Sequence, residues 1–266
     1  MIKFTIRFVS LFTTLTILAL LLVNPPLSVA QPPVTIAISK TSPNYEGFLA
    51  RSDSSLFYVD MYPLAIDSAL HALAGCDALL VTGGEDVYPG WYGKEHEINR
   101  CTETNRHRDS LDMALISLAL QLKMPVFGVC RGHQIINVFL DGTLIINIPT
   151  DVPHPIVHQC DDYQHCFHPV FVQPHSLLSE ITECDSALVT TNHHQAVDVL
   201  APLLSVSALS KDHVAEATEW EHPEGKSFLL GVQWHPERME KNNPLSGPLA
   251  DEFIHQAKKY AAIKKR

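Results

Sequence analysis

With 266 residues, 46% of them hydrophobic and 18% charged, the chain is too apolar and too even in composition for a disordered or fibrous protein. One large globular domain fits it best. Its formal net charge of −10 at pH 7 excludes a surface built to hold nucleic-acid phosphates.

The chain opens with Lys3 and Arg7, followed by an apolar run over residues 8–23. Asn24, Pro25 and Pro26 break that run, and Ser28, Val29 and Ala30 supply small residues at cleavage spacing. The pattern predicts a secretory signal peptide over residues 1–30, cut after Ala30, rather than a retained membrane anchor: the run is short for a span and its flank suits cleavage. Residues 31–266 would then be a single domain that works outside the cytoplasm, periplasmic or secreted, with no membrane attachment. Loss of Lys3 and Arg7, with no acid in the leader, makes its formal charge −12.

Residues 34–39 (VTIAIS) and 78–84 (ALLVTGG) are short apolar runs of the kind that form buried strands. Residues 63–74 carry apolar side chains at helical spacing. Over residues 107–122, Leu111, Ala114, Leu115, Leu118 and Leu122 follow the i, i+3, i+4, i+7 pattern of an amphipathic helix. Residues 125–129 (PVFGV) then predict a strand and residues 132–140 a helix. Strands that alternate with helices argue for a mostly parallel central sheet, α/β in class, with helices on both faces.

Residues 148–175 are rich in His, Pro, Asp and Cys and predict an irregular excursion with one strand at 170–172. Four further strands are expected in ALVTT, LLSVSAL, HVAEATEW and FLLGVQW, partly antiparallel, and residues 246–263 close the chain as a helix. Within the excursion, His154, His158, Cys160, Asp161, Asp162, His165, Cys166 and His168 are metal-ligand types. No pair has zinc-finger spacing, so the excursion is expected to cover the active site rather than to hold a metal. Of the six cysteines, Cys160 and Cys166 are close enough for a local bridge; the pairing of Cys76, Cys101 and Cys184 is open.

The chemistry concentrates in a few places. Gly128-x-Cys130-x-Gly132, between a strand and a helix, has the form of a nucleophile elbow with cysteine in place of serine. His235, at the end of the last strand, can take the thiol proton and return it to a leaving amine. Glu237 can hold the ring in the required tautomer. Gly83 and Gly84 form a turn after a strand, and the backbone N–H groups of Gly84 and Arg131 are candidates for an oxyanion hole.

Together, GGEDVYPGWYG (83–93), RDSLD (108–112), GVCRGHQIINVFLDGTL (128–144), HHQAV (193–197) and GVQWHPE (231–237) resemble the class I glutamine amidotransferase-like proteins. The γ-glutamyl-γ-aminobutyrate hydrolase and γ-glutamyl hydrolase branch, peptidase family C26, is the nearest. The resemblance implies a flavodoxin-like class I glutamine amidotransferase fold and a triad of Cys130, His235 and Glu237. It further implies contacts from Gln134 and His194 to a glutamyl group, and hydrolysis of γ-glutamyl amides through a glutamyl thioester. No metal or other cofactor is implied. The expected partner is a small-molecule γ-glutamyl substrate, with a homodimer as the only macromolecular one. A glutaminase subunit that feeds a synthase and a non-catalytic γ-glutamyl-binding protein are the alternatives. Asp141 and His175 depart from the family pattern, each standing where relatives often have glycine, and put substrate details in question.

Overall fold

The computed structural model describes residues 33–264, so the leader expected at 1–30 lies outside the described residues. Five short strands form its parallel core: β1 (Thr35–Ile38), β2 (Phe57–Asp60), β3 (Ala78–Val81), β4 (Val126–Val129) and, from much later in the chain, the last strand (Leu229–Val232). Between β4 and that last strand lie β5 (Leu144–Ile145), β6 (Phe167–Val172), β7 (Ser186–Thr190), β8 (Ala196–Val197), β9 (Leu204–Ser210) and β10 (Ala215–Trp220), which makes the last one β11. The sheet runs β2-β1-β3-β4-β11-β10-β9-β6-β7, and β8 joins β10 to β5. All pairings from β2 to β11 are parallel; those from β11 outward are antiparallel. The first five strands thus follow the flavodoxin-like order, in which ligands bind beyond the carboxyl ends of the strands.

Parallel strands covered on both faces have no solvent side, so they read as continuous apolar runs. Successive side chains divide between the two faces. Ile36, Ile38, Leu80, Phe127, Val129, Leu230 and Val232 face one core, and Ala37, Leu79, Val81, Val126 and Leu229 face the other. The first core is closed by α1 (Pro43–Ala50) and by the C-terminal helix (Gly247–Lys264), whose Leu249, Phe253, Ile254 and Ala257 are buried there. The second is closed by α2 (Ile66–Gly75), α3 (Arg106–Gln121) and α4 (Arg131–Phe139). Two shorter helices, α5 (Ile148–Asp151) and α6 (Leu177–Thr182), precede the C-terminal one, which is α7. No helix of the described residues is long and apolar enough to cross a membrane.

Asp141 and His175 both have left-handed backbones, φ 76° and 63°. These are conformations that glycine adopts without strain and other residues rarely take. The departures from the family pattern therefore fall in two turns, one after α4 and one before α6. Cys160 and Cys166 form a disulfide, while Cys76, Cys101, Cys130 and Cys184 are free thiols.

Candidate active site

β3, β4 and β11 are neighbours, and their carboxyl ends deliver Gly83, Cys130 and His235 to one place. Cys130 is held at φ 53°, ψ −106°, an uncommon conformation for a residue with a side chain. Its N–H donates to the Val232 carbonyl (2.8 Å) and its own carbonyl accepts from the Gln134 N–H (3.2 Å). The chain thus turns within one residue from strand into helix. The flanking glycines make that turn fit. A Cβ at Gly128 would lie 2.8 Å from the Gly132 carbonyl oxygen, and one at Gly132 only 2.0 Å from that of Val81. Backbone meets backbone there, so nothing flexible can yield. Gly132→Ala is expected to destabilise the fold by about 3 kcal/mol or more, read from urea denaturation; an unchanged midpoint would refute the close-approach argument. The thiol sits at the N-cap of α4, at the positive end of the helix dipole.

The His235 N–H donates to the Thr190 carbonyl (2.9 Å), which fixes the ring's base on β7. Its Nδ1 donates to Glu237 Oε1 (2.8 Å), and both side chains are buried. A Cβ placed on Gly83 would lie 3.3 Å from the imidazole Cε1 and 3.6 Å from the Cys130 Cβ, so the glycine turn packs directly on the pair. Burial pulls the His235 pKa down, but the Glu237 carboxylate and the adjacent Cys130 sulfur, as charge and as hydrogen-bond partner, outweigh it and raise the value to about 9. His235 is therefore held as imidazolium near neutrality, beside the Cys130 sulfur.

Two groups behind the pair were not predicted from the sequence. The Tyr45 hydroxyl on α1 accepts the Gly83 N–H (2.9 Å). Burial, and then Glu237, push its pKa well above the usual phenol value, so it stays a neutral anchor for the turn. On the other side, Arg108 and Asp112 of the RDSLD segment join Arg131 and Asp109 in a buried set of two guanidinium and two carboxylate groups. Arg131 bonds Asp109 (2.5 Å) and Asp112, and Arg108 Nε bonds Asp112 (3.1 Å). Arg108 Nη2 also reaches the carbonyl oxygens of Thr82 (3.1 Å) and Gly83 (3.4 Å). In a trans peptide, a carbonyl drawn towards Arg108 turns the N–H of the next residue the opposite way. This orients the Gly84 N–H away from Arg108. Neither that N–H nor the Arg131 N–H has a hydrogen-bond partner among the described residues.

The remaining expected residues sit nearby with other engagements. Gln134 is buried, and its amide nitrogen donates to the Gln195 carbonyl (3.0 Å) and Gln233 Oε1 (3.2 Å). His194 Nε2 bonds Asp86 (2.9 Å) at the edge of a cavity of about 290 Å³. The excursion divides. Tyr163, Gln164 and His165 line a groove of about 470 Å³ together with Glu237 and Arg238. His154, Asp161 and Asp162 are exposed, while His158 and His168 turn inward. A cavity of about 550 Å³ between α6 and the ends of β9 and β10 contains none of the residues named for the site.

Comparison with known proteins gives a consistent picture. The Peptidase C26 family model matches residues 58–237. Protein NtpR of Enterococcus hirae is 37% identical over 182 residues, 68% of this chain and 74% of its own. Gamma-glutamyl-gamma-aminobutyrate hydrolase PuuD of Escherichia coli K12 is 31% identical over 229 residues, 80% of this chain and 87% of its own. Among solved structures, the glutaminase domain of Trypanosoma brucei CTPS with bound acivicin superposes with a TM-score of 0.62. It is 19% identical and spans 85% of this chain and 94% of that one.

Proposed function

The chain belongs to the Peptidase C26 family of class I glutamine amidotransferase-like hydrolases, and from that premise we propose that it hydrolyses γ-glutamyl amides through a thioester on Cys130, outside the cytoplasm. The thiolate attacks the γ-carbonyl carbon. The Gly84 and Arg131 N–H groups receive the oxyanion, and His235 gives its proton to the departing amine. The neutral imidazole then takes a proton from water, which cleaves the thioester to glutamate and restores the thiolate–imidazolium pair. Glu237 keeps the ring in place and in the correct tautomer through both steps. Gln134 and His194 are the proposed contacts to the glutamyl group.

The observation that carries this reading is the single junction at which a strained thiol, an imidazole held at 2.8 Å by a buried carboxylate and a glycine turn meet. A buried cysteine with only a packing role needs none of these neighbours. For location, the leader pattern of residues 1–30 is supported by the Cys160–Cys166 disulfide, because such bonds persist in oxidising compartments. The test is glutamate release from a panel of γ-glutamyl amides with γ-aminobutyrate, polyamine, polyglutamate and anilide leaving groups. At least one is expected to turn over, and a glutamine-like chloroketone to alkylate Cys130. Silence across the panel together with an unmodified thiol would overturn the reading.

A further inference from the structure

Behind the wall of the active site, four side chains from four separate segments converge: His158, His168, His193 and Glu216. All are at most 4% exposed, and one donor atom from each lies within 4.8 Å of the others. His158 Nδ1 is 3.2 Å from His193 Nε2 and 3.3 Å from Glu216 Oε1. His168 Nε2 and His193 Nε2 are 3.4 and 3.7 Å from the same carboxylate oxygen. A zinc ion with bonds of 2.0–2.1 Å and tetrahedral angles holds its ligand atoms about 3.3 Å apart. The cluster already has nearly that spacing.

The outward nitrogens decide what the inward ones carry. His158 Nε2 donates to Asp212 (3.0 Å), His193 Nδ1 to the Gln195 carbonyl (2.9 Å) and His168 Nδ1 to the Pro169 carbonyl (3.2 Å). With those outward bonds made and the inward protons displaced by a metal ion, each ring would offer it a lone pair, alongside the carboxylate. Without the ion, His158 Nδ1 and His193 Nε2 share a proton across 3.2 Å. His168 Nε2 and both Glu216 oxygens have no hydrogen-bond partner among the described residues, although all three are buried. Carboxylate or carbonyl groups behind metal-bound imidazoles are the usual outer shell of such sites. Three imidazoles exclude calcium and magnesium, which take oxygen ligands.

The geometry points to a closed binding site for one divalent transition metal of the zinc class at His158, His168, His193 and Glu216, independent of the thiol chemistry. This revises the expectation of a metal-free excursion, which rested on sequence spacing; the ligands come from four segments, so no short spacing could reveal them. Four protein ligands leave no open position, so the ion would be structural. It would clamp the excursion and β10 to the segment between β7 and β8. That segment carries Gln195, whose carbonyl holds Gln134, and it follows directly on Thr190, whose carbonyl holds the His235 backbone. The cavity of about 290 Å³ lined by Ile148, Pro155, Val157, His158, His193 and His194 gives the metal a way in.

The full chain, purified without a polyhistidine tag, is tested by elemental analysis after gel filtration. About one zinc per chain is expected. Stripping with a chelator should lower the Tm, zinc alone should restore it, and cobalt(II) should give the visible bands of tetrahedral coordination. His168→Gln and Glu216→Gln should each reduce bound metal at least about tenfold, while Cys130→Ala keeps the full equivalent. If Glu216→Gln does not fold, His168→Gln and the cobalt spectrum of the unaltered chain decide. Metal below about a tenth of an equivalent, with no Tm response to zinc, would mean that protons alone hold the cluster together and would overturn the proposal. So would full metal retention in His168→Gln.

Discussion

Cys130→Ala is expected to fold normally and to lose γ-glutamyl amide hydrolysis by about 10⁴-fold or more, the scale on which loss of a nucleophile removes the covalent route. The substitution deletes one sulfur atom from the edge of a core and leaves the backbone as it was. The expected stability loss is therefore about 1 kcal/mol. Alanine at φ 53° is as strained as cysteine, so the elbow keeps its conformational cost. Cys130→Gly separates the two properties. It should be equally inactive, yet more stable than the alanine variant by about 1 kcal/mol, because glycine takes a positive φ without a Cβ clash. Glutamate release, an intact-mass search for a glutamyl thioester and urea denaturation of all three proteins make the comparison. Retention of a tenth or more of the activity in Cys130→Ala would remove Cys130 from the mechanism.

The parallel core was legible because burial on both faces forces apolar runs such as ALLV and VFGV, and the elbow because its glycines answer a close backbone approach. β2 was missed: at the edge of the sheet, FYVD is half-exposed and reads as polar and mixed. α1 escaped for a related reason, being eight residues long with Pro43 first and Gly47 inside. With it went Tyr45, whose contact with Gly83 spans 38 positions. The RDSLD segment was visible as a motif but mute as chemistry, since its meaning lies in carbonyl groups of the turn after β3 and in Arg131. The same holds for Glu216, an unremarked acid in a predicted strand until three imidazoles are brought to it. Local pattern therefore pointed to the residues proposed as nucleophile, base and orienting acid, whereas the groups that hold them still depend on tertiary neighbours.

Glu237→Gln tests that support on the pH axis. In the unaltered protein the His235 pKa is raised to about 9, so the imidazolium that must protonate the leaving amine persists through neutral pH and is lost as pH rises through about 9. Hydrolysis of an amide with a basic leaving group should fall on that limb. A neutral glutamine removes the main charge opposing desolvation, and burial then draws the pKa down. The falling limb of kcat/KM should move to lower pH by at least about one unit. The rate at its optimum should drop about 10²- to 10⁴-fold, because the ring also loses its tautomer lock. Stability moves with the same proton. A histidine whose folded pKa exceeds its unfolded value of about 6.5 contributes stability that is complete below that value and disappears as pH rises through the folded pKa. The Tm of the unaltered protein should therefore decline between about pH 7 and 10, and that of Glu237→Gln should decline less. Superimposable pH profiles for the two proteins would show that the carboxylate at 2.8 Å does not set the charge of His235.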